Sequence, residues 1–194
     1  MPRGRSRKTD KVVKNKKAAP KAAPVEIKLD LGCGKNKLAG FTGVDVTHFD
    51  GVDVVYDLRT TPWPWEDESV SEIHSSHFVE HLTREEWVPF FNEAYRVLKK
   101  GGKMRVITPH WSHDCAYGDP THKSFLSAWV ANYLHRGWRD INAPHCGYTC
   151  DFDFVPAGSW DPWLEVKSQD VRMFAMQRYT NSFRDLILNL DKNR

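Results

Sequence analysis

Lys28-Leu29-Asp30-Leu31-Gly32-Cys33-Gly34-Lys35-Asn36 runs an apolar segment into two glycines one residue apart, and Gly43-Val44-Asp45-Val46 brings a second apolar run to an acid. Glycines at such a turn let the backbone approach a ligand, and an acid at the tip of the next strand accepts from a pair of ribose hydroxyls. Two ligand classes compete for this arrangement. A dinucleotide loop wants G-x-G-x-x-G, its third glycine giving close helix–strand packing beside a pyrophosphate. Here the third position is Lys37, and Asp45 follows Asp30 by only 15 residues. The spacing turns away from a pyrophosphate. A nucleoside-type cofactor without phosphates needs only Asp30, the Gly32-x-Gly34 turn and Asp45.

A second chemical group is His77-Phe78-Val79-Glu80-His81. On a helix start, His77, Glu80 and His81 fall at i, i+3 and i+4, which is metal-ligand spacing. A metal site needs a further ligand from elsewhere, and His110, His113 or His122 could supply it. A looser group (His113, Cys115, His122, His145, Cys146, Cys150) raises zinc, but Cys146-x-x-x-Cys150 lacks a paired second knuckle. Neither group is read as a metal centre. The histidines serve instead as candidate bases: His77, His110 and His122 could each take a proton from an acceptor hydroxyl or amine. Trp63 and Trp65, each preceded by a proline, either wall a ligand or pack over the sheet edge. Cys33 is assigned no reactivity.

The elements needed to position these residues follow an α/β rhythm. Strands are predicted at Val25–Leu31, Phe41–Val46, Val52–Asp57, Val70–Ser75 and Lys103–Thr108. The strongest helix is Arg84–Lys99, opened by a Thr83/Glu86 capping box and stopped by Gly101-Gly102. Only about ten residues separate the first two strands, where a crossover helix needs a dozen or more. The first helix should therefore shrink to a turn or two. Beyond Thr108 the expectations are a loop from His110 to Pro120, a helix at Phe125–His135 and irregular chain over 136–162. A strand at Val171–Gln177 and a terminal helix at Phe183–Leu190 complete the reading. The fold class is α/β: a Rossmann-like open sheet, mostly parallel with an antiparallel C-terminal strand.

Charge divides the chain. Residues 1–24 carry nine basic groups against Asp10, so the net charge of +3 leaves −5 on residues 25–194. The basic stretch has no aromatic and repeats Ala-Ala-Pro, so it reads as a disordered arm able to touch nucleic acid or an acidic partner. Residues 25–194 form the folded domain, whose acidity weighs against duplex binding. No apolar run reaches the roughly 20 residues of a membrane span. The basic N-terminus is followed by no apolar signal core. Four cysteines without a disulfide spacing suggest a reducing, cytoplasmic setting.

The ordered set decides among cofactors. Asp30-Leu-Gly-Cys-Gly, Gly43-Val-Asp45, Tyr56-Asp57-Leu58, Trp63-Pro-Trp65, Ser75-Ser76-His77-Phe-Val-Glu80-His81-Leu82 and Glu93-Ala-Tyr-Arg96-Val-Leu-Lys-Lys-Gly101-Gly102 occur in sequence. Together they resemble a class I S-adenosylmethionine-dependent methyltransferase. The short gap after the glycines and the Gly118-Asp-Pro-Thr-His122 loop resemble a compact bacterial and phage-type subgroup. The resemblance implies that Asp30, Gly32 and Gly34 line the methionine end of S-adenosylmethionine and that Asp45 binds its ribose. It places Asp57 and Leu58 at the adenine, and Ser75 and Ser76 beside the sulfonium. Some methyltransferases acting on RNA 3′ ends or quinone precursors carry Glu-x-x-Glu-His around a divalent ion; here His77 replaces the first Glu. Three functions stay open at this point: methyl transfer to an oxygen or nitrogen acceptor, a catalytically silent nucleoside-binding module docked by its basic tail, and a metal-dependent RNA-type methyltransferase.

Overall fold

The computed structural model describes residues 26–193, so the basic arm over 1–24 lies outside the described residues. Seven strands form one sheet: β1 (Ile27–Leu31), β2 (Thr42–Asp45), β3 (Val54–Val55), β4 (Val70–Ser76), β5 (Leu98–Pro109), β6 (Phe152–Trp160) and β7 (Phe183–Lys192). Their spatial order is β3-β2-β1-β4-β5-β7-β6. The first five are parallel, while β7 runs antiparallel to both β5 and β6. Chain order reverses between β1 and β4, which is where an open α/β sheet holds its ligand, beyond the carboxyl ends of the strands. Leu29, Leu31, Val44, Ile73, Met104, Val106 and Leu188 form the buried centre. Among the described residues, no helix is long and apolar enough to cross a membrane.

Between β1 and β2 the described chain makes only turns, so the expected short helix gives way to an open connection. Asp30 organises it. One carboxylate oxygen accepts from Leu38 N at 2.7 Å and the other lies 2.8 Å from His74 Nδ1, in a setting 2 % exposed.

The helix α1 (Arg84–Val97) begins with the expected capping box: Thr83 Oγ1 accepts from Glu86 N, and Glu86 accepts from Thr83 N. It stops two residues earlier than its periodicity suggests, because Leu98 already pairs with Val70 in the sheet. Trp87, Phe90, Phe91, Ala94 and Val97 form its buried stripe. Phe90 meets Trp63 and Phe78 edge-on or tilted, at 5.4 and 5.6 Å between ring centres. Trp63 itself is buried and donates from Nε1 to Leu58 O, so it packs as core rather than lining a ligand.

The last turns of α1 clamp the 63–67 segment. Glu93 accepts from Trp63 N at 2.6 Å and from Arg96 at 2.8 and 2.7 Å. Arg96 also donates to Trp63 O, Trp65 O and Asp67. Breaking a largely buried ion pair strands its partner. Arg96→Ala is therefore expected to cost about 2–4 kcal/mol in urea unfolding. Arg96 first, and then the Trp63 N–H, hold the Glu93 carboxyl below its ordinary value. The folded pKa is depressed, so this stability is fully present above the unfolded value of about 4.3 and drains away as pH falls through the folded one. Between pH 7 and pH 3, the urea midpoint of Glu93→Gln should fall less steeply than that of the parent chain.

The C-terminal third departs from its sequence reading. Phe183–Leu190, expected as a helix, lies in strand β7, and Val171–Gln177, expected as a strand, lies in the helix Gln169–Arg178. Leu186, Leu188 and Leu190 point to one buried face with period two, while their neighbours are less buried. The helix buries only Ala175, so its apolar residues give no amphipathic signal. Residues 136–162, expected to be irregular, hold the helix Arg136–Asn142 and strand β6. Pro156 and Gly158 disguise β6; both are tolerated because it is an edge strand paired only to β7. Phe125–His135 forms two short pieces, a 3-10 turn at Ala128–Val130 and a helical turn at Ala131–Leu134.

Candidate active site

A cleft of about 330 Å³ opens over the carboxyl ends of β1, β2, β3 and β4. Gly32, Asp45, Val46, Tyr56, Asp57, Leu58, Arg59, Phe78, His81, Leu82, Thr121 and Lys123 line it. That size suits a small organic ligand, and apolar walls with few polar groups are the usual composition of such a site.

The glycine turn shapes one end. Gly32 and Gly34 both have positive φ, 68° and 52°. A Cβ on Gly32 would sit 2.6 Å from Phe78 Cβ and closer still to two atoms of the ring, so only glycine fits against that wall. Asp45 fastens the turn: its carboxylate accepts from Gly34 N and from Thr47 N, each at 2.9 Å. Gly32 N and Cys33 N donate to Val44 O. Burial, then the nearby Asp30, pushes the Cys33 thiol up to about 11, which keeps it unreactive.

Asp57 and Arg59 border the other side. Arg59 grips the Asp57 carboxylate through Nε at 2.8 Å and NH2 at 2.9 Å, and this pairing holds the acid below its ordinary range. The Tyr56 hydroxyl bonds to Thr60 O and Pro62 O, leaving its ring on the cleft wall.

A third side is supplied from far along the chain. Lys123 N and Ser124 N both donate to Glu80 O, and Ser124 Oγ donates to Leu82 O. These bonds carry Thr121 and Lys123 to the cleft. Glu80 is 1 % exposed, and one of its oxygens accepts from Thr108 Oγ1 at 3.0 Å. His81 and His122 meet edge-to-face at 4.9 Å beside it.

The expected site residues therefore divide. Gly32, Asp45, Asp57 and Leu58 line the cleft. Gly34 acts through Asp45, and Asp30 sits beneath the turn with both oxygens engaged. Ser75 is wholly buried and Ser76 half-buried at the tip of β4, neither on the cleft lining. Of the candidate bases, His122 joins Glu80 and His81. His77 takes a left-handed φ of 53° at the end of β4 and lies 3.3 Å from Glu80, which lifts its pKa above the ordinary histidine value. His110 lies elsewhere, bonded to Ser112 and packed on Phe183, with burial lowering its pKa. The Cys146–Cys150 group does not gather. Among the described residues, the close groupings of metal-binding side chains are Glu80–His81–His122 and His113–Asp114–Cys115. Tyr56, Arg59, Phe78, Thr121 and Lys123 were not foreseen as site residues, although each lies within a few residues of one that was.

Solved structures share this architecture. A methyltransferase from Archaeoglobus fulgidus, described as S-adenosylmethionine-dependent, matches at 19% identity over 87% of each chain with a TM-score of 0.64. Another from Methanosarcina mazei matches at 12% over 87% of this chain and 92% of its own, TM-score 0.54. A putative methyltransferase of Haloferax volcanii, solved with the Trm112 methyltransferase activator, matches at 16% over 88% and 85%, TM-score 0.53. At these identities the likeness speaks for the fold. No curated protein sequence matches the chain. The family model described as a methyltransferase domain matches residues 47–106, from the tip of β2 through most of β5.

Residues 47–106 thus match a methyltransferase domain, on a fold shared with S-adenosylmethionine-dependent methyltransferases. S-adenosylmethionine, the cofactor named for the Archaeoglobus neighbour, supplies a methyl group already activated by its sulfonium. The cleft fits such a group: an acid stands at the tip of β2, the glycine backbone is bare, and apolar walls come from Val46, Leu58, Phe78 and Leu82. For a methyl donor so activated, the protein's task is to align the nucleophile and exclude water.

Proposed function

We propose that this methyltransferase binds the ribose of its cofactor through Asp45, with Gly32 beneath the methionine end and Leu58 and Asp57 at the adenine. The acceptor then enters from the side of His81, Thr121 and Lys123. The observation carrying this reading is the single cleft joining the Asp45–Asp57 side to the His81–Lys123 side. Asp30 and Gly34 hold the turn in shape from behind. Ser75 and Ser76 stand behind the sulfonium end at the tip of β4, off the cleft lining.

The acceptor's nucleophile is an oxygen or a nitrogen, and Glu80, His81 and His122 are the groups at that end able to assist its loss of a proton. The brief β1–β2 connection and the Gly118–His122 loop support the compact bacterial and phage-type subgroup. Four free cysteines support a reducing, cytoplasmic setting. The basic residues 1–24 serve as an arm for nucleic acid or an acidic partner.

The test is formation of S-adenosylhomocysteine over a panel of hydroxyl and amine acceptors, with Lys123→Ala alongside. Lys123→Ala should raise the KM for the acceptor while leaving S-adenosylhomocysteine affinity unchanged. An equal loss in both would move Lys123 to the cofactor side and overturn the assignment of the two ends.

A further inference from the structure

We propose that Glu80, His81 and His122 bind a divalent first-row transition metal ion at the acceptor end of the cleft. One donor atom from each lies within 4.8 Å of the other two. Ligands around such an ion at about 2.1 Å sit roughly 3–3.5 Å apart, so the cluster closes on a metal with side-chain shifts of about 1 Å.

The hydrogen bonds around the cluster leave each residue one free lone-pair atom. His122 Nδ1 lies 2.8 Å from Ala116 O. A carbonyl only accepts, so Nδ1 carries the proton and Nε2 keeps its lone pair, 4.0 Å from Glu80 Oε1. The Thr121 hydroxyl donates to Asp119 Oδ1 at 2.6 Å and therefore receives His81 Nδ1–H at 3.0 Å, freeing His81 Nε2. Thr108 holds Glu80 Oε2. Partners of this kind behind each ligand are what fixes tautomer and orientation in metal sites.

Glu80 Oε1 is the independent observation. It is buried and has no hydrogen-bond partner. His77 Nδ1, on a half-exposed side chain, stands 3.3 Å away at ion-pair distance. A buried carboxylate oxygen without a hydrogen bond is poorly compensated, and a bound cation removes that cost. Two imidazoles and one carboxylate suit a transition ion rather than magnesium, which prefers an all-oxygen shell. Three protein ligands also leave coordination positions open. His81 belongs both to the cluster and to the cleft wall, so an oxygen on the acceptor can complete the shell. That last step rests on the proposed reading of the cleft; the ion itself does not.

The probe is Co²⁺ alone, added to the full-length chain after chelator treatment and followed by visible absorption, with Zn²⁺ as competitor. About one ion per chain should bind, and Glu80→Gln and His122→Asn should each weaken it by about tenfold or more. Cys115→Ser, in the His113 grouping, should bind as the parent does. Because Glu80→Gln removes a buried charge, the melting temperature of the parent chain with Co²⁺ against chelator gives a second readout, expected to rise with the ion. Absence of stoichiometric binding, or binding that survives both substitutions, overturns the inference. Calorimetry with S-adenosylhomocysteine on the stripped protein reports separately on the cleft. Cofactor binding without Co²⁺ binding defeats the metal site alone, and Co²⁺ binding without cofactor binding defeats the assigned cofactor cleft alone.

Discussion

Asp45→Ala is expected to weaken S-adenosylhomocysteine binding by about 100-fold or more, because two separate contributions go at once. The first is structural. The Asp45 carboxylate accepts from Gly34 N and Thr47 N, so it holds the glycine turn and the end of β2 together. Each charge-assisted bond of this kind is worth about 1.5–3 kcal/mol. The second is direct, in that the same carboxylate lines the cleft and has lone pairs left for ribose hydroxyls. Asp45→Asn separates the two: it keeps one acceptor oxygen and the side-chain shape but loses the charge, so it should fall between parent and alanine variant. Calorimetric affinity in Asp45→Ala equal to the parent's would remove Asp45 from the cofactor site. A melting temperature close to the parent's, beside lost binding, would place the effect at the ligand rather than in the fold.

The N-terminal half of the fold was legible in the sequence because its signals are local. Alternating strands, two offset glycines, a capping box and an acid at the tip of β2 are each read within a few residues. The C-terminal strands were not, because their evidence is relational. Leu186, Leu188 and Leu190 declare a strand only once β5 and β6 flank them, and a leucine-rich run otherwise reads as helix. The site shows the same division. Gly32, Asp45, Asp57 and Leu58 could be found from motif spacing, whereas Thr121 and Lys123 reach the cleft through backbone bonds to Glu80 some forty residues away. Asp30 marks the limit of spacing as a guide. Its place in the motif was found, but its oxygens are committed to Leu38 and His74, which sequence distance does not reveal. His77, His110 and His122 were equivalent as residue types, and only the return of the 119–124 loop sets His122 beside Glu80 and His81.

Phe78, against which the glycine turn packs, lines the cleft together with that loop, which makes Gly32→Ala a damaging small substitution at the site. Its backbone φ of 68° already disfavours a side chain, by about 1 kcal/mol or more. The larger penalty is steric. The new Cβ would stand 2.6 Å from Phe78 Cβ and against the ring, and Phe78 is braced by Phe90 of α1. Phe90 is 1 % exposed and also touches Trp63 and Phe91, so the ring cannot retreat into the core without overpacking it. Moving outward instead carries Phe78 into the cleft that it lines. Gly32→Ala should therefore cost about 3 kcal/mol or more in urea unfolding and abolish S-adenosylhomocysteine binding in whatever protein remains folded. Gly34→Ala is the internal comparison. It shares a positive φ of 52°, but no atom lies within 4 Å of its added Cβ, so only the backbone term of about 1 kcal/mol applies. Equal destabilisation by the two substitutions would mean that backbone conformation, and not the Phe78 wall, requires glycine at position 32.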